Sequence, residues 1–413
     1  MNKSVIAVLV GLAVAGGAYA VADSKADAVA LERADQAISS FNENSGMQLE
    51  YNTVNANLLS NSFEISGLSF KKNDEEMSVD SIVIENPVFT DDDKTILSSA
   101  TVTVNGLNLN EDDVDFSVKS TTIKYNTGDK EVTFDSLSRM DPIAALSLFE
   151  GLNVKGIAFS SDHVTVPTFK FKEIDFSNVT FNDDRTMIYS LDSFVKGAET
   201  EFDLSQLSEK ERRAFKKTGL DSGKFSYSEE FHYKLNPESG DFDISTKVGL
   251  DDLGAASLSL SLGNFPKVSS DEMESLQRYP MRAFGLFENL AIKSFTFSYD
   301  DDGLAKAAYA IAAEENSYKL ERRDLPVTGE AYRKMLLKEL EKNIDSETNM
   351  SNVEQDLAEL ALDFFGTTSP DVMIKIESKE KGGVGMATLL KDMGGKSGQD
   401  KAASHFKYTM KAK

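Results

Sequence analysis

Three histidines, His163, His232 and His405, are the only imidazoles in the chain, and there is no cysteine. Without thiols there is no cysteine nucleophile, thiolate zinc site or iron–sulfur cluster. No histidine has a second histidine or a carboxylate at ligand spacing on an expected helix. His232 lies between Phe231 and Tyr233, so it faces away from their side of a strand. Gly395-Lys396-Ser397 ends a phosphate-loop pattern, but the first glycine that pattern needs falls on Leu390. A dinucleotide pattern opening at Gly383 and Gly385 fails at Thr388. Asp300-Asp301-Asp302-Gly303 has calcium-loop chemistry at its start, yet Lys306 and Ile311 stand where an EF-hand needs its seventh and twelfth ligands. The acidic clusters therefore read as solvated turns. No Gly-x-Ser-x-Gly elbow or paired-carboxylate motif is present, and the expectation is a non-enzymatic protein with no cofactor, no metal and no catalytic residue.

What remains is a quantity of phenylalanine: 26 Phe and no Trp. Large apolar strand faces are ordinarily core. They also suit a groove or cavity that holds an acyl chain or an unfolded segment.

The elements that would carry these faces alternate with period two from residue 48 onward. Phe63 and Ile65 are followed by Leu68 and Phe70, with Gly67 at the change of phase, which suggests a bulge. Ala100/Val102/Val104, Val114/Phe116/Val118, Ile123/Tyr125, Val132/Phe134 and Val164/Val166 continue the pattern. So does the TFKFKEIDFSNVTF stretch, with polar turns between the runs. One-sided alternation with short turns predicts an antiparallel meander. Residues 224–265 give the clearest hairpin, turning at Asn236-Pro237-Glu238-Ser239-Gly240. Helical spacing is expected over 25–42, 304–313, 330–344 and 353–365, the last ending at Gly366 as a C-cap. Residues 379–400, rich in Gly, Lys and Ser, read as a mobile loop. PIAALSLFEGLNVKGIAFS at 142–160 matches PMRAFGLFENLAIKSFTFS at 280–298 at a fixed offset, which suggests a duplicated helix-then-sheet unit.

The fold class expected is α+β and β-dominated: long antiparallel meandering sheets in two related units, with packed helices and a helical segment near 300–366. The expected divisions are 1–22, 23–140, 141–278 and 279–413.

Residues 1–22 read as an export or anchor segment. Val5, Ile6, Val8, Leu9, Val10, Leu12 and Val14 form its apolar run behind Lys3. Ala18-Tyr19-Ala20 and Ala20-Val21-Ala22 both offer the small-x-small pattern of a cleavage site. About 20 apolar residues also suffice to span a bilayer, so tether and removed peptide both stand. Either places the remainder on the periplasmic side of a bacterial envelope, where a cysteine-free chain of this length can rely on its core. The net charge of −24 argues against nucleic acid and against flat adsorption to anionic lipid.

The opening, an apolar segment ending in GGAY, an amphipathic helix and then MQLEYNTVNANLLSNSFEISGLSF, resembles the start of the YdgA-like periplasmic proteins. FHYKLNPESGDFDISTKVGLDDLGAASLSLSLGNF is similar to their strand-turn-strand pattern. AsmA-like envelope proteins share the style of an anchor followed by long sheet. The resemblance implies an inner-membrane-attached envelope protein. It carries no functional residues, and the ligand or protein partner stays open: a lipid or other apolar ligand, or a structural and interaction role with a fully packed core.

Overall fold

The computed structural model describes Asp35, Ile38, Ser39 and most of 48–412; the stretches 1–34, 36–37, 40–47, 58–60, 73–74, 90–96, 112–113, 127–147, 162–167, 183–186, 202–203, 207, 219–222, 267–287, 348–349, 394–397 and 413 lie outside. The export segment, most of the 25–42 helix, Val132/Phe134, His163, Val164/Val166 and the opening parts of both repeat copies, 142–147 and 280–287, fall in those stretches. The chain divides into two compact units, 1–200 and 201–413.

In the first unit the strands are β1 (Gln48–Glu50), β2 (Thr53–Asn57), β3 (Ser62–Lys72), β4 (Glu75–Phe89), β5 (Leu97–Glu111), β6 (Val114–Asn126), β7 (Phe149–Ser161), β8 (Thr168–Phe181) and β9 (Ile188–Glu201). β3 to β8 follow one another antiparallel, with β9 beside β8 and both β1 and β2 on β3. This is the meander that the alternation predicts. One face carries Ile65, Ile82, Val104, Val118 and Ile157; the other carries Ser, Thr, Asn and charged residues. Polar pairs bridge the strands there, such as Thr103 Oγ1 with Thr122 Oγ1 at 3.2 Å and Asn105 Nδ2 donating to Ser81 Oγ at 3.1 Å.

The expected bulge at Gly67 is a different object. Gly67 does adopt φ 64°, but the register is in step on both sides of it, with Ser66 opposite Ser81 and Leu68 opposite Val79. No residue is inserted relative to the partner. The partner changes phase at the same place, from Val79 to Ile82 around Asp80, and so does each strand beyond. The line runs Gly67, Asp80, Gly106, Lys119, Gly156, Lys172, and Gly197 on β9 sits against Lys172. The four glycines, on β3, β5, β7 and β9, have φ between 55° and 64°. That left-handed backbone suits residues without a Cβ. The neighbouring side chain lies over each bare glycine: a Cβ on Gly156 would stand 2.7 Å from the Cβ of Lys119, and one on Gly197 2.5 Å from Cδ of Lys172. The result is a crease across the strands that inverts in–out alternation in all of them together. Apolar residues thereby stay on one face along strands of 11 to 15 residues.

The second unit has β10 (Lys224–Asn236), β11 (Asp241–Leu250), β12 (Gly254–Gly263), β13 (Ala291–Asp301), β14 (Val372–Ser378), β15 (Val384–Gly385) and β16 (Phe406–Ala412), in the order β10-β11-β12-β13-β14-β16 with β15 on β13. Its helices are α1 (Glu209–Thr218), α2 (Leu304–Glu315), α3 (Ser317–Glu321), α4 (Gly329–Ser346), α5 (Asn352–Gly366), α6 (Met386–Asp392) and α7 (Gly398–Ser404). One apolar row crosses the whole sheet: Tyr233, Ile244, Leu260, Phe295, Ile376 and Tyr408. The expected helical segment is α2 to α5. Thr328 caps α4 by accepting from the Ala331 N–H, and Ser351 with Glu354 forms a full capping box on α5. Gly366 is the last helical residue of α5, not a left-handed cap; Thr367 follows in extended conformation. Residues 379–400 are not a mobile loop over their described part. They hold a turn, β15, α6 and the start of α7, because Met386-Ala-Thr-Leu-Leu is a helix-forming run that composition alone hides.

Candidate functional site

The apolar face of the first unit is sealed at one end and half-open at the other. Around β3 to β5 the side chains of Phe63, Ile65, Leu68, Ile82 and Ile84 are at most 1% exposed, and Ile38 and Leu49 join the same cluster. Phe116, Ile123, Val154 and Ile157 on β6 and β7 pack at its margin and are half-buried. Beyond them the face continues onto β8 in register: Phe159 opposite Phe169, Ile157 opposite Phe171, Val154 opposite Ile174 and Leu152 opposite Phe176. Phe159 and Phe169 have ring centroids 6.5 Å apart. These residues are half-buried, and Phe176 is 38% exposed. The strip from Phe169 to Phe176 is about 25 Å long at the usual rise of a strand.

The strip bears no charged side chain. Its polar neighbours sit on the opposite face, where Asn153 Nδ2 donates to Glu173 at 2.7 Å and to Asp175 at 2.8 Å. Polar groups do lie on the apolar side, among them Thr121, opposite Val104 and Val154, and Tyr125. Tyr125, 4% exposed, lies between Ala100 on β5 and Phe149 on β7, one row along from Ile123, Leu152 and Phe176, and belongs to the sealed cluster. Its hydroxyl has no hydrogen-bond partner among the described residues, and burial pushes its pKa up to about 12. A buried hydroxyl left unpaired costs about 1–3 kcal/mol unless something supplies a partner. The half-open strip beyond this cluster is the part of the face that could take an apolar chain.

The second unit contains a polar cluster of another kind. Asp301, at the end of β13, is 6% exposed, so it is not the solvated turn residue expected of the Asp300–Asp302 run. Its carboxylate accepts from Tyr299 Oη, from the Ala305 N–H in the first turn of α2 at 2.7 Å, and from Ser369 Oγ at 2.9 Å. Burial, then the hydrogen bond to Asp301, raises the pKa of Tyr299. Arg333 on α4, also 6% exposed, donates to both oxygens of Glu330 at 2.9 Å and to the Phe365 carbonyl at the end of α5. These hydrogen bonds hold the Glu330 carboxyl down at about 2. Tyr309 on α2 feels both Asp301 and Arg333, yet its buried hydroxyl has no hydrogen-bond partner among the described residues. Every charged member already has protein partners. The cluster fastens the helices to the sheet, with carboxylate at a helix start and guanidinium at a helix end, as helix dipoles favour.

The remaining sequence candidates do not come together. His232 is exposed and opposite Ser245, facing away from the apolar row as expected. His405 Nε2 is 2.7 Å from Asp392 Oδ2, and Nδ1 is 3.8 Å from Glu380. Among the described residues no three His, Asp or Glu converge as a metal site, and no helix is long and apolar enough to cross a membrane. Sequence reasoning placed Tyr125 on the apolar face but did not foresee its unpaired buried hydroxyl, and missed the Asp301–Arg333 cluster altogether.

A family model described as "Uncharacterized protein" matches residues 247–412, from within β11 to the end of β16. None of the curated proteins matches the chain.

Proposed function

We propose that the protein is a non-enzymatic component of a bacterial cell envelope that holds an apolar ligand with an acyl chain along the β6–β8 strip. The observation that carries this reading is the change in burial along one continuous apolar face: sealed at β3–β5, half-open at β7–β8. A ligand there would cover Phe169, Phe171, Ile174 and Phe176. Each methylene buried is worth about 0.8 kcal/mol, so a long chain on such a strip suffices for stable retention. The export or anchor segment over residues 1–22 and the YdgA-like opening support the periplasmic address, either tethered to the inner membrane or free after cleavage. The matched segments at 142–160 and 280–298 end in β7 and β13, which supports reading the sheets as two related units.

Native mass spectrometry of the protein purified from a bacterial host in mild buffer, followed by organic extraction, tests the reading. A stoichiometric adduct that extracts as lipid and is lost in Phe171→Glu is the expected result. A bare polypeptide mass, or an adduct indifferent to Phe171→Glu, would favour the structural and interaction role instead. That second reading draws on the solid core at β3–β5.

A further inference from the structure

The whole chain carries −24, but residues 375–413 hold nine lysines against four carboxylates. Within that basic stretch α6 is placed the wrong way round for a soluble helix. Leu389 is buried and fixes the helix; Ala387, Leu390 and Met393, one turn apart, point outward. Leu390 is 62% and Met393 59% exposed, more than any other large hydrophobic side chain among the described residues. The helix is well fastened. The Met386 N–H donates to the Leu290 carbonyl at 2.7 Å, and Asp392 at its far end bonds His405 at 2.7 Å. Lys391 follows Leu390 directly in the chain, Lys381 precedes α6 and Lys401 lies on α7, all exposed, and Lys379 donates to the Ser404 carbonyl at 2.6 Å.

We propose that α6 and its lysines form a docking surface for an anionic lipid bilayer, with Leu390 and Met393 entering the headgroup region. Apolar side chains flanked by lysine are the chemistry of an interfacial contact. The charge complementarity is local: the rest of the chain, acidic, would be repelled by the same surface and held away from it. This surface is separate from the β6–β8 strip and does not depend on what that strip holds.

The absence of cysteine makes the test direct. A single cysteine at Ala387, labelled with an environment-sensitive fluorophore in the full-length chain, reports on α6 alone, whatever residues 1–22 do in a bilayer. A label at Ser259, exposed on the polar face of β12, is the control. Vesicles of phosphatidylcholine with phosphatidylglycerol should shift the Ala387 label to the blue and leave the Ser259 label unmoved. Pure phosphatidylcholine should give a much smaller shift, and high salt should reverse it. Lys391→Glu should weaken binding about fivefold or more, as for loss of one surface lysine. Leu390→Ser with Met393→Ser should abolish the shift while circular dichroism stays unchanged. No shift on anionic vesicles, or equal shifts on both vesicle types that Lys391→Glu does not reduce, would overturn the proposal. A shift that grows with protein concentration in the absence of vesicles would assign the stripe to a second copy of the chain and overturn it equally.

Discussion

Within the first unit, β3–β5 and β7–β8 carry the same pattern and end in different states. Both regions alternate apolar with polar residues, both cross the crease, and both keep one apolar face. Phe63 and Ile65 are sealed; Phe171, Ile174 and Phe176 are half-open. The difference teaches that period-two alternation specifies which face is apolar and says nothing about what lies on it. Coverage is a tertiary property, decided by residues far away in the chain.

The largest expected effect sharpens that contrast. Phe63→Ala should destabilise the first unit by about 3–5 kcal/mol, the cost of a cavity in a closed core. Phe176→Ala should cost about 1 kcal/mol or less, because the ring is partly in water already. Urea denaturation of the two variants measures both, and equal losses would break the comparison.

The crease should matter equally in both regions. Gly106→Ala on β5 and Gly156→Ala on β7 each put a Cβ at φ 63° against a neighbouring side chain, at about 1–3 kcal/mol apiece. A harmless substitution at either site would show that the line is not continuous.

A smaller effect, of opposite sign, is expected at the orphan hydroxyls. Tyr125→Phe and Tyr309→Phe should each stabilise the ligand-free protein by about 1 kcal/mol, by removing a buried group without a partner.

The smallest effects are in the pH profile. Tyr51, pushed up to about 12 by burial and then by its hydrogen bond to Asp35, and Tyr125, also about 12, stay neutral in the fold when an unfolded tyrosine ionises near 10. The unfolded state then holds fewer protons, so the first unit should lose stability as pH rises from about 10 to 12. The second unit has an acid-side counterpart. Glu330, held down at about 2, stabilises α4 above the ordinary carboxyl range, and that contribution should fade as pH falls from about 5 to 2. Circular dichroism against pH, with Tyr51→Phe and Glu330→Gln as controls, measures each limb.

The meander, the 224–265 hairpin and the helices of 304–366 were legible because each rests on local periodicity. The crease was half-legible. A phase change at Gly67 is visible in one strand, but a bulge and a shared inversion look alike until Asp80, Gly106, Lys119, Gly156 and Lys172 are lined up across register. The Asp301 cluster was not legible at all, since Asp301, Tyr309, Arg333 and Ser369 are scattered and only the fold brings them together. The 379–400 segment misled through composition: its glycines flank a helix whose outward Leu390 looks, in sequence, like any core residue.

The crease also bears on how the strands find one another. A uniformly alternating strand can slide by two residues and still present every side chain to its proper side, so its pairing is degenerate. Here such a slide would leave a window, between the displaced inversion points, in which one strand shows leucine or isoleucine where its neighbour shows serine or asparagine. It would also bring a side chain with a Cβ to the position that only glycine tolerates. The line Gly67–Asp80–Gly106–Lys119–Gly156–Lys172 thus works as an alignment mark, giving a long and repetitive meander a single correct reading frame.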